Sequence, residues 1–395
     1  MTQVTIVGCD LHDRSMLLQT AAGKDEPEVK KFPNDVEGRT EMIDYLIQFA
    51  RQTSSPRIVF VYEASGQGYG LYDQLSEYGI ECFVLSPTHI PRSAKSRRNK
   101  TDPKDALQLF ELARGHVLAG NPLPTVWTPP QRLRDDRELL RTRLETAESC
   151  TRAKLQVFAM LKRYGFLLPG WFTKHRKWTR RFVQWVRDQA EGMDEVVRPV
   201  LLTLLERCER FRRDVLALEK HIRRLSQTDR YKAACNALRG LRGVGLITAM
   251  TYLTEMGDLD RFSNRRQVAA YLGVCPSSFE SGESNDRKGH ITRQGPGRVR
   301  KVLCQAAWAS VRFDAAMHEK WSRIKGGKKN RGKKAIVAMM RHLGILMWHL
   351  ARQTGVSPEL RQPERRPPSW TSAPAQQTGS APFASPSPQP LGCAG

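Results

Sequence analysis

Four carboxylates in this sequence stand where a strand pattern ends or a helical pattern begins. Asp10 closes the apolar run VTIVGCD (4–10), Glu63 closes RIVFVYE (57–63), and Asp102 and Asp105 open a helical pattern that runs from Pro103 to Arg114. In open α/β layers the ends of neighbouring strands converge on one edge, so acids distant along the chain can meet there. Asp102 and Asp105 are three apart and share a helix face. Gathered carboxylates repel one another unless a cation neutralises them. Mg²⁺ suits such oxygen ligands, and two ions ~4 Å apart can clamp the attacking and leaving oxygens of a phosphodiester. Each acid also has an ordinary reading. Asp102-Pro103-Lys104-Asp105 is a good helix start, and Asp10 and Glu63 taken singly are common strand-end polar residues. The joint pattern points to metal chemistry, because Lys95, Arg97, Arg98 and Lys100 stand just before the acidic pair, as a site holding a phosphate backbone requires. GQGYG, after Glu63, reads as a turn rather than a nucleotide loop.

A second set of reactive side chains lies near the other end. The polar loop between Gly273 and Gly297 carries Ser277, Ser278, Ser281 and Ser284, with Arg287, Lys288, His290, Arg293, Arg298 and Arg300 downstream. A serine hydroxyl attacks poorly unless a base or a charge-stabilising environment assists it, and cations around a scissile phosphate supply the latter. Chemistry alone does not choose among the loop serines.

The elements that must position these groups follow from periodicity. Three short strands (VTIVGCD, SMLLQTA, EVKKF), a helix over 37–52, the strand 57–63, a helix over 69–78, the strand ECFVLS and the helix from Pro103 give the order of an RNase-H-like α/β layer. Residues 131–164 and 194–227 are long, charged and heptad-like. In the second, Val197, Leu201, Leu204, Cys208, Phe211, Val215, Leu218, Ile222 and Leu225 advance in steps of four and three, which predicts one apolar seam. That seam fits an antiparallel hairpin with the first helix or a junction between two protomers, and a role in dimerisation is expected. Between them, WFTKHRKWTRRFVQW (171–185) mixes aromatic and basic residues that could stack on nucleic acid or, almost equally, form a helix-capping surface. A helical domain follows. LRGLRGVGLITAMTYLTEMGD (238–258) has the form of a helix-hairpin-helix, whose Gly243-Val244-Gly245 turn can hold a phosphate at the next helix N-terminus. Lys328, Lys329, Arg331, Lys333 and Lys334 form a glycine-flanked basic clamp before the last helix, and residues 356–395, rich in Pro, Ser, Ala and Gln, read as disordered.

Composition agrees with a polyanion-binding protein. The 395 residues carry 64 Lys and Arg against 40 Asp and Glu, a formal net charge of +24, which draws nucleic acid by long-range attraction. The eight cysteines are scattered with no C-x-x-C pair, which argues against a zinc ribbon or a disulfide framework. The N-terminus lacks signal-peptide character, and no apolar run approaches the ~18 residues that span a bilayer. The chain reads as cytosolic, with no membrane role.

The motifs GCDLH, VYEASG, RNKTDPKDA, LRGVGLITA, AAYLGVCPSSFESG, HITRQGPGRVRKVL and KKAIVAMMRHL, in this order, resemble those of transposases of the insertion sequence one-ten family. Those proteins are bridge-RNA-guided recombinases related to the Piv DNA invertases. The resemblance runs from about residue 5 to 345. It implies a RuvC-like domain over 1–125, a coiled-coil region over 126–232 and a C-terminal transposase domain over 233–355, before the tail 356–395. It implies that Asp10, Glu63, Asp102 and Asp105 form a metal-binding tetrad with Mg²⁺, and that Ser281 is a nucleophile making a phosphoserine-linked DNA intermediate. It also implies donor and target DNA paired to a structured noncoding guide RNA, dimers that assemble into tetramers, a composite site drawn from different protomers, and action at the nucleoid of a bacterial cytoplasm. Pro296 departs from the family, where a polar residue is more usual, and the Pro-rich tail is not explained. A metal-dependent nuclease or junction resolvase without serine catalysis is the alternative, and a binding protein with a degenerate core is a third reading.

Overall fold

Period-two alternation in the first strand sends Val7 and Cys9 to one side and Ile6 and Gly8 to the other, and both sides are covered. The computed structural model describes residues 3–91, 102–173, 178–278, 288–355 and 358–361. The chain divides into two compact units, one built on Met1–Thr128 and one on Pro129–Gln362.

The first unit runs β1 (Val4–Leu11), β2 (Ser15–Ala22), β3 (Glu28–Pro33), α1 (Val36–Gln52), β4 (Arg57–Glu63), α2 (Gly70–Glu77), β5 (Glu81–Leu85) and α3 (Asp102–Ala119). Its sheet has the order β3-β2-β1-β4-β5, with β1 to β3 an antiparallel meander and β4 and β5 parallel to β1. One face buries Val7, Cys9, Leu18, Phe60, Tyr62 and Val84 beneath Met42, Leu46, Leu71 and Leu75 of α1 and α2. The other buries Ile6, Ala21, Val61 and Leu85 beneath Leu109, Phe110 and Ala113 of α3. Asp35 caps α1 by accepting from the Gly38 amide at 2.8 Å.

Glycine is needed at position 8 because α3 lies on the backbone of β1 there. A Cβ on Gly8 would stand 2.2 Å from the Phe110 nitrogen and 2.5 Å from the Ala106 carbonyl oxygen. The first turn of α3 is thereby brought to the end of β1 that carries Asp10.

The second unit begins with α4 (Gln131–Arg163), followed by α5 (Gly170–Thr173), α6 (Arg180–Glu191) and α7 (Arg198–Leu225). α4 and α7 form an antiparallel hairpin within one chain: Cys150 approaches the Cys208 carbonyl at 3.8 Å, and Arg143 pairs with Glu219. All nine positions of the predicted seam are buried or half-buried. The aromatic rings of the 171–185 segment contribute to a core. Phe172 and Phe182 are buried and stack at 3.8 Å, with Trp171, Trp178 and Trp185 packed around them.

After the hairpin come α8 (Lys232–Arg239), α9 (Leu246–Met256), α10 (Arg265–Tyr271), the paired strands β6 (Pro276–Ser278) and β7 (Lys288–Ile291), α11 (Gly297–Phe313), α12 (Ala315–Lys325) and α13 (Gly332–Gln353). α13 packs on α8, α10, α11 and α12. Buried charge ties α4 to this bundle. Glu255, only 4% exposed, accepts from Nε and Nη2 of Arg141 at 2.8 and 3.0 Å, while Arg137 donates to the Thr254 and Glu255 carbonyls. Asp136 accepts from the Tyr231 hydroxyl at 2.7 Å and from Arg230 at 3.2 Å. Within the stretch read as disordered, the described residues 358–361 pack on the second unit: Leu360 is buried, and Glu359 pairs with Arg132 and Arg230. Among the described residues no helix is long and apolar enough to cross a membrane.

Two substitutions test these constraints by chemical denaturation of the full chain. Gly8→Ala forces α3 off the sheet and destabilises the first unit by about 1–3 kcal/mol, the usual range for overpacking. Glu255→Gln removes the counter-charge of the buried Arg137 and the half-buried Arg141 and lowers the stability of the second unit by about 3 kcal/mol, with the transition of the first unit unmoved.

Candidate functional site

β1 and β4 are parallel and in register through Cys9 and Tyr62, so Asp10 and Glu63 follow as the next residues of neighbouring strands. Alternation puts both on the face of Ile6, Gly8 and Val61, which is the face covered by α3. Asp102 and Asp105 occupy the first turn of that helix, where carboxylates also complement the helix dipole. The four acids singled out in the sequence therefore share one edge of one sheet.

At the centre of the edge stands a residue that sequence reasoning passed over. His12 Nε2 lies 3.1 Å from Asp10 Oδ2 and 3.4 Å from Asp102 Oδ1. Ligand atoms of Asp10, His12 and Asp102 all fall within 4.8 Å of one another, a spacing that can hold a metal ion. His12 was part of the quoted GCDLH motif, and its signal was the Asp-x-His spacing at a strand end. Burial raises the Asp10 carboxyl pKa above its ordinary 3.8; His12 opposes the rise, and the charges of Asp105 and Asp102 add to it. A carboxyl that resists ionisation beside other carboxylates is what a divalent cation relieves, so the donor set fits such an ion.

In the second unit, Ser281 and Arg287 lie outside the described residues, as do Arg97, Arg98 and Lys100 of the first. Lys288 opens β7 and Lys329 lies in a short 3-10 turn, but their side chains are likewise not described. Gly273 and Gly295, both at positive φ, cross so closely that a Cβ on Gly295 would stand 1.8 Å from the Tyr271 carbonyl oxygen. Arg300 grips this crossing, donating to the carbonyls of Leu272, Gln294 and Gly295 at 3.3, 2.8 and 3.1 Å. Arg298 pairs with Glu145 of α4, so both arginines have partners within the chain. Arg293 is exposed at positive φ.

The Gly243 turn is half packing and half surface. A Cβ on Gly243 would meet Ala306 and Ser310 of α11 at 2.7 Å, and the Ser310 hydroxyl donates to the Arg242 carbonyl at 2.6 Å. Gly245 is exposed at the N-cap of α9, with open space beyond it and no side-chain cap. Lys328, Arg331, Lys333 and Lys334 are exposed around the start of α13. Cations there oppose the helix dipole, an arrangement that a bound anion offsets.

A family model described as "Transposase IS116/IS110/IS902 family" matches residues 235–322, and a second transposase model, of the DEDD type, matches residues 7–166. Among similar proteins is y4qE of Sinorhizobium fredii, which carries a transposase name. It is 36% identical over 251 residues, covering 64% of this chain and 58% of its own length. The transposase for insertion sequence element IS1533 of Leptospira borgpetersenii is 27% identical over 62% of this chain and 69% of its own. The transposase for insertion sequence element IS1111A of Coxiella burnetii is 26% identical over 73% and 76%. The chain belongs to the IS116/IS110/IS902 transposase family.

The raised Asp10 pKa carries a stability consequence. The folded chain holds this proton more tightly than the unfolded chain, so the contribution is complete below the unfolded value and is lost as pH rises through the folded one. Asp10→Asn is therefore expected to raise the metal-free melting temperature at neutral pH, by roughly 2–4 °C per kcal/mol relieved. In a melting series read by circular dichroism, the gap from wild type closes as pH falls toward 3.8.

Proposed function

We propose that the chain is the transposase of a bacterial insertion sequence, cutting and rejoining donor and target DNA in the cytoplasm at the nucleoid. The gathering of Asp10, His12 and Asp102 at one sheet edge, with Glu63 and Asp105 on the same face, carries this reading. On it, the first unit is an RNase-H-like layer of the RuvC kind, and Asp10, Glu63, Asp102 and Asp105 hold Mg²⁺. The ion, when bound, supplies charge neutralisation at a phosphodiester and activation of an attacking oxygen. The chain's own part is to present the acids: Gly8 lets α3 close over the strand end, and the helix start aims Asp102 and Asp105 at Asp10.

The nucleophile on this reading is Ser281. Its hydroxyl oxygen attacks phosphorus, the bond from phosphorus to a deoxyribose oxygen breaks, and the serine proton leaves to a base as the departing oxygen gains one. A phosphoserine link conserves the bond energy, so the reverse attack by another DNA end completes the joining. Arg97, Arg98, Lys100, Arg287, Lys288 and Arg293 serve as backbone contacts, together with the exposed lysines and Arg331 before α13. The Gly243–Gly245 turn acts as a helix-hairpin-helix that contacts phosphate without reading sequence. A structured noncoding RNA supplies sequence choice by base pairing while the protein holds shape and backbone. Dimers that assemble into tetramers complete the site, with the tetrad and the serine coming from different protomers. Family membership and the strong positive charge support the nucleic-acid partners.

Ser281→Ala is expected to abolish recombination and any covalent protein–DNA adduct on denaturing gels, while Asp10→Ala abolishes strand cleavage. An alanine variant at Ser281 that recombines at the wild-type rate would turn the reading to a metal-only nuclease or resolvase.

A further inference from the structure

The acidic edge contains a donor that a set of carboxylates does not require. His12 follows β1 directly, and its ring nitrogen bridges Asp10 and Asp102 at 3.1 and 3.4 Å. The ring is 44% exposed, so an ion arriving from solvent can reach it. Its backbone carbonyl is held by a chain of hydrogen bonds. The His12 carbonyl accepts from Asn34 Nδ2 at 2.6 Å, and the same amide donates to Gln67 Oε1 at 2.8 Å. Gln67 Nε2 in turn donates to Asp13 Oδ1 at 3.2 Å, and Arg39 Nε fixes Asn34 Oδ1 at 2.8 Å. Three separate segments meet here: the turn after β1, the link from β3 into α1, and the GQGYG loop behind Glu63. That loop presents Gln67 to Asn34 and Asp13.

Such a brace fixes the main chain from which the ring projects, an outer layer behind the ligand itself. Mg²⁺ favours an all-oxygen shell, whereas imidazole suits the divalent transition metals. We propose that His12 is a nitrogen ligand of the divalent-metal site, giving it a higher intrinsic affinity for Mn²⁺ than for Mg²⁺, and that Asn34 and Gln67 are positioning residues for it. The proposal rests on the reading of Asp10 and Asp102 as metal ligands.

The test uses the full chain labelled with [¹⁵N]histidine and loaded with Mn²⁺ alone. Electron spin-echo spectra of the wild type should carry ¹⁵N coupling to the ion, and the coupling should vanish in His12→Gln with the fold intact by circular dichroism. Calorimetric titration with Mn²⁺ and with Mg²⁺ should show the wild-type preference for Mn²⁺ falling about tenfold in His12→Gln. Asn34→Ala and Gln67→Ala should weaken Mn²⁺ binding by roughly tenfold or more, as loss of an outer-shell partner does, and Asp10→Asn should remove binding. Absence of ¹⁵N coupling in the wild type, with Asp10→Asn still unable to bind, overturns the role of His12 and leaves the acidic site standing. Undiminished Mn²⁺ binding by Asp10→Asn overturns both.

Discussion

The contact between the backbone of α3 and the backbone of β1 at Gly8 sets the geometry on which the first unit depends. No side chain stands between helix and strand there, so the helix cannot slide along the sheet without a clash, and its first turn is held at the strand end. Parallel pairing of β1 with β4 adds the second constraint, because it fixes which residue of β4 stands beside Asp10. Placement of the acids is thus a property of main-chain packing, independent of the acids themselves. Their mutual repulsion is then carried by the stability of the surrounding layers, which bury apolar residues on both faces of the sheet.

The second unit relies on charge where the first relies on close packing. Long α4 and α7 present mostly polar surfaces, and the hairpin is joined to the bundle through Arg137, Arg141 and Asp136 with partners on α9 and next to α8. Breaking such pairs one partner at a time is severe, since the remaining charge stays buried. The same economy is visible at Arg300, whose guanidinium serves three carbonyls at the loop crossing. The high positive charge of the sequence is therefore divided: one part is internal mortar, and another, around the start of α13, faces solvent.

Much of this architecture was legible in the residues. Strand alternation placed Asp10 and Glu63 at strand ends, and Asp102-Pro103 marked a helix start, because those signals are local. The seam from Val197 to Leu225 was equally readable, although periodicity alone did not say that its partner is α4 of the same chain. Three features were not legible for a common reason: their meaning depends on what approaches from elsewhere. His12 is a lone histidine with no period, and its significance lies in Asp102 across the gap. The aromatic and basic composition of 171–185 fits a nucleic-acid surface as well as a core, until Phe172 is seen stacked on Phe182. Arg300 looks like any other cation of its helix until the carbonyls beneath it are located.

The crossing of Gly273 and Gly295 beneath Arg300 also bears on how this region can change over generations. Pro276 pairs with Ile291 and Ser278 with Lys288, so the chain enters and leaves the 279–287 stretch at two fixed points. Change over generations is therefore hardest at Gly273 and Gly295, where any added side chain would stand 2.1 and 1.8 Å from a carbonyl oxygen.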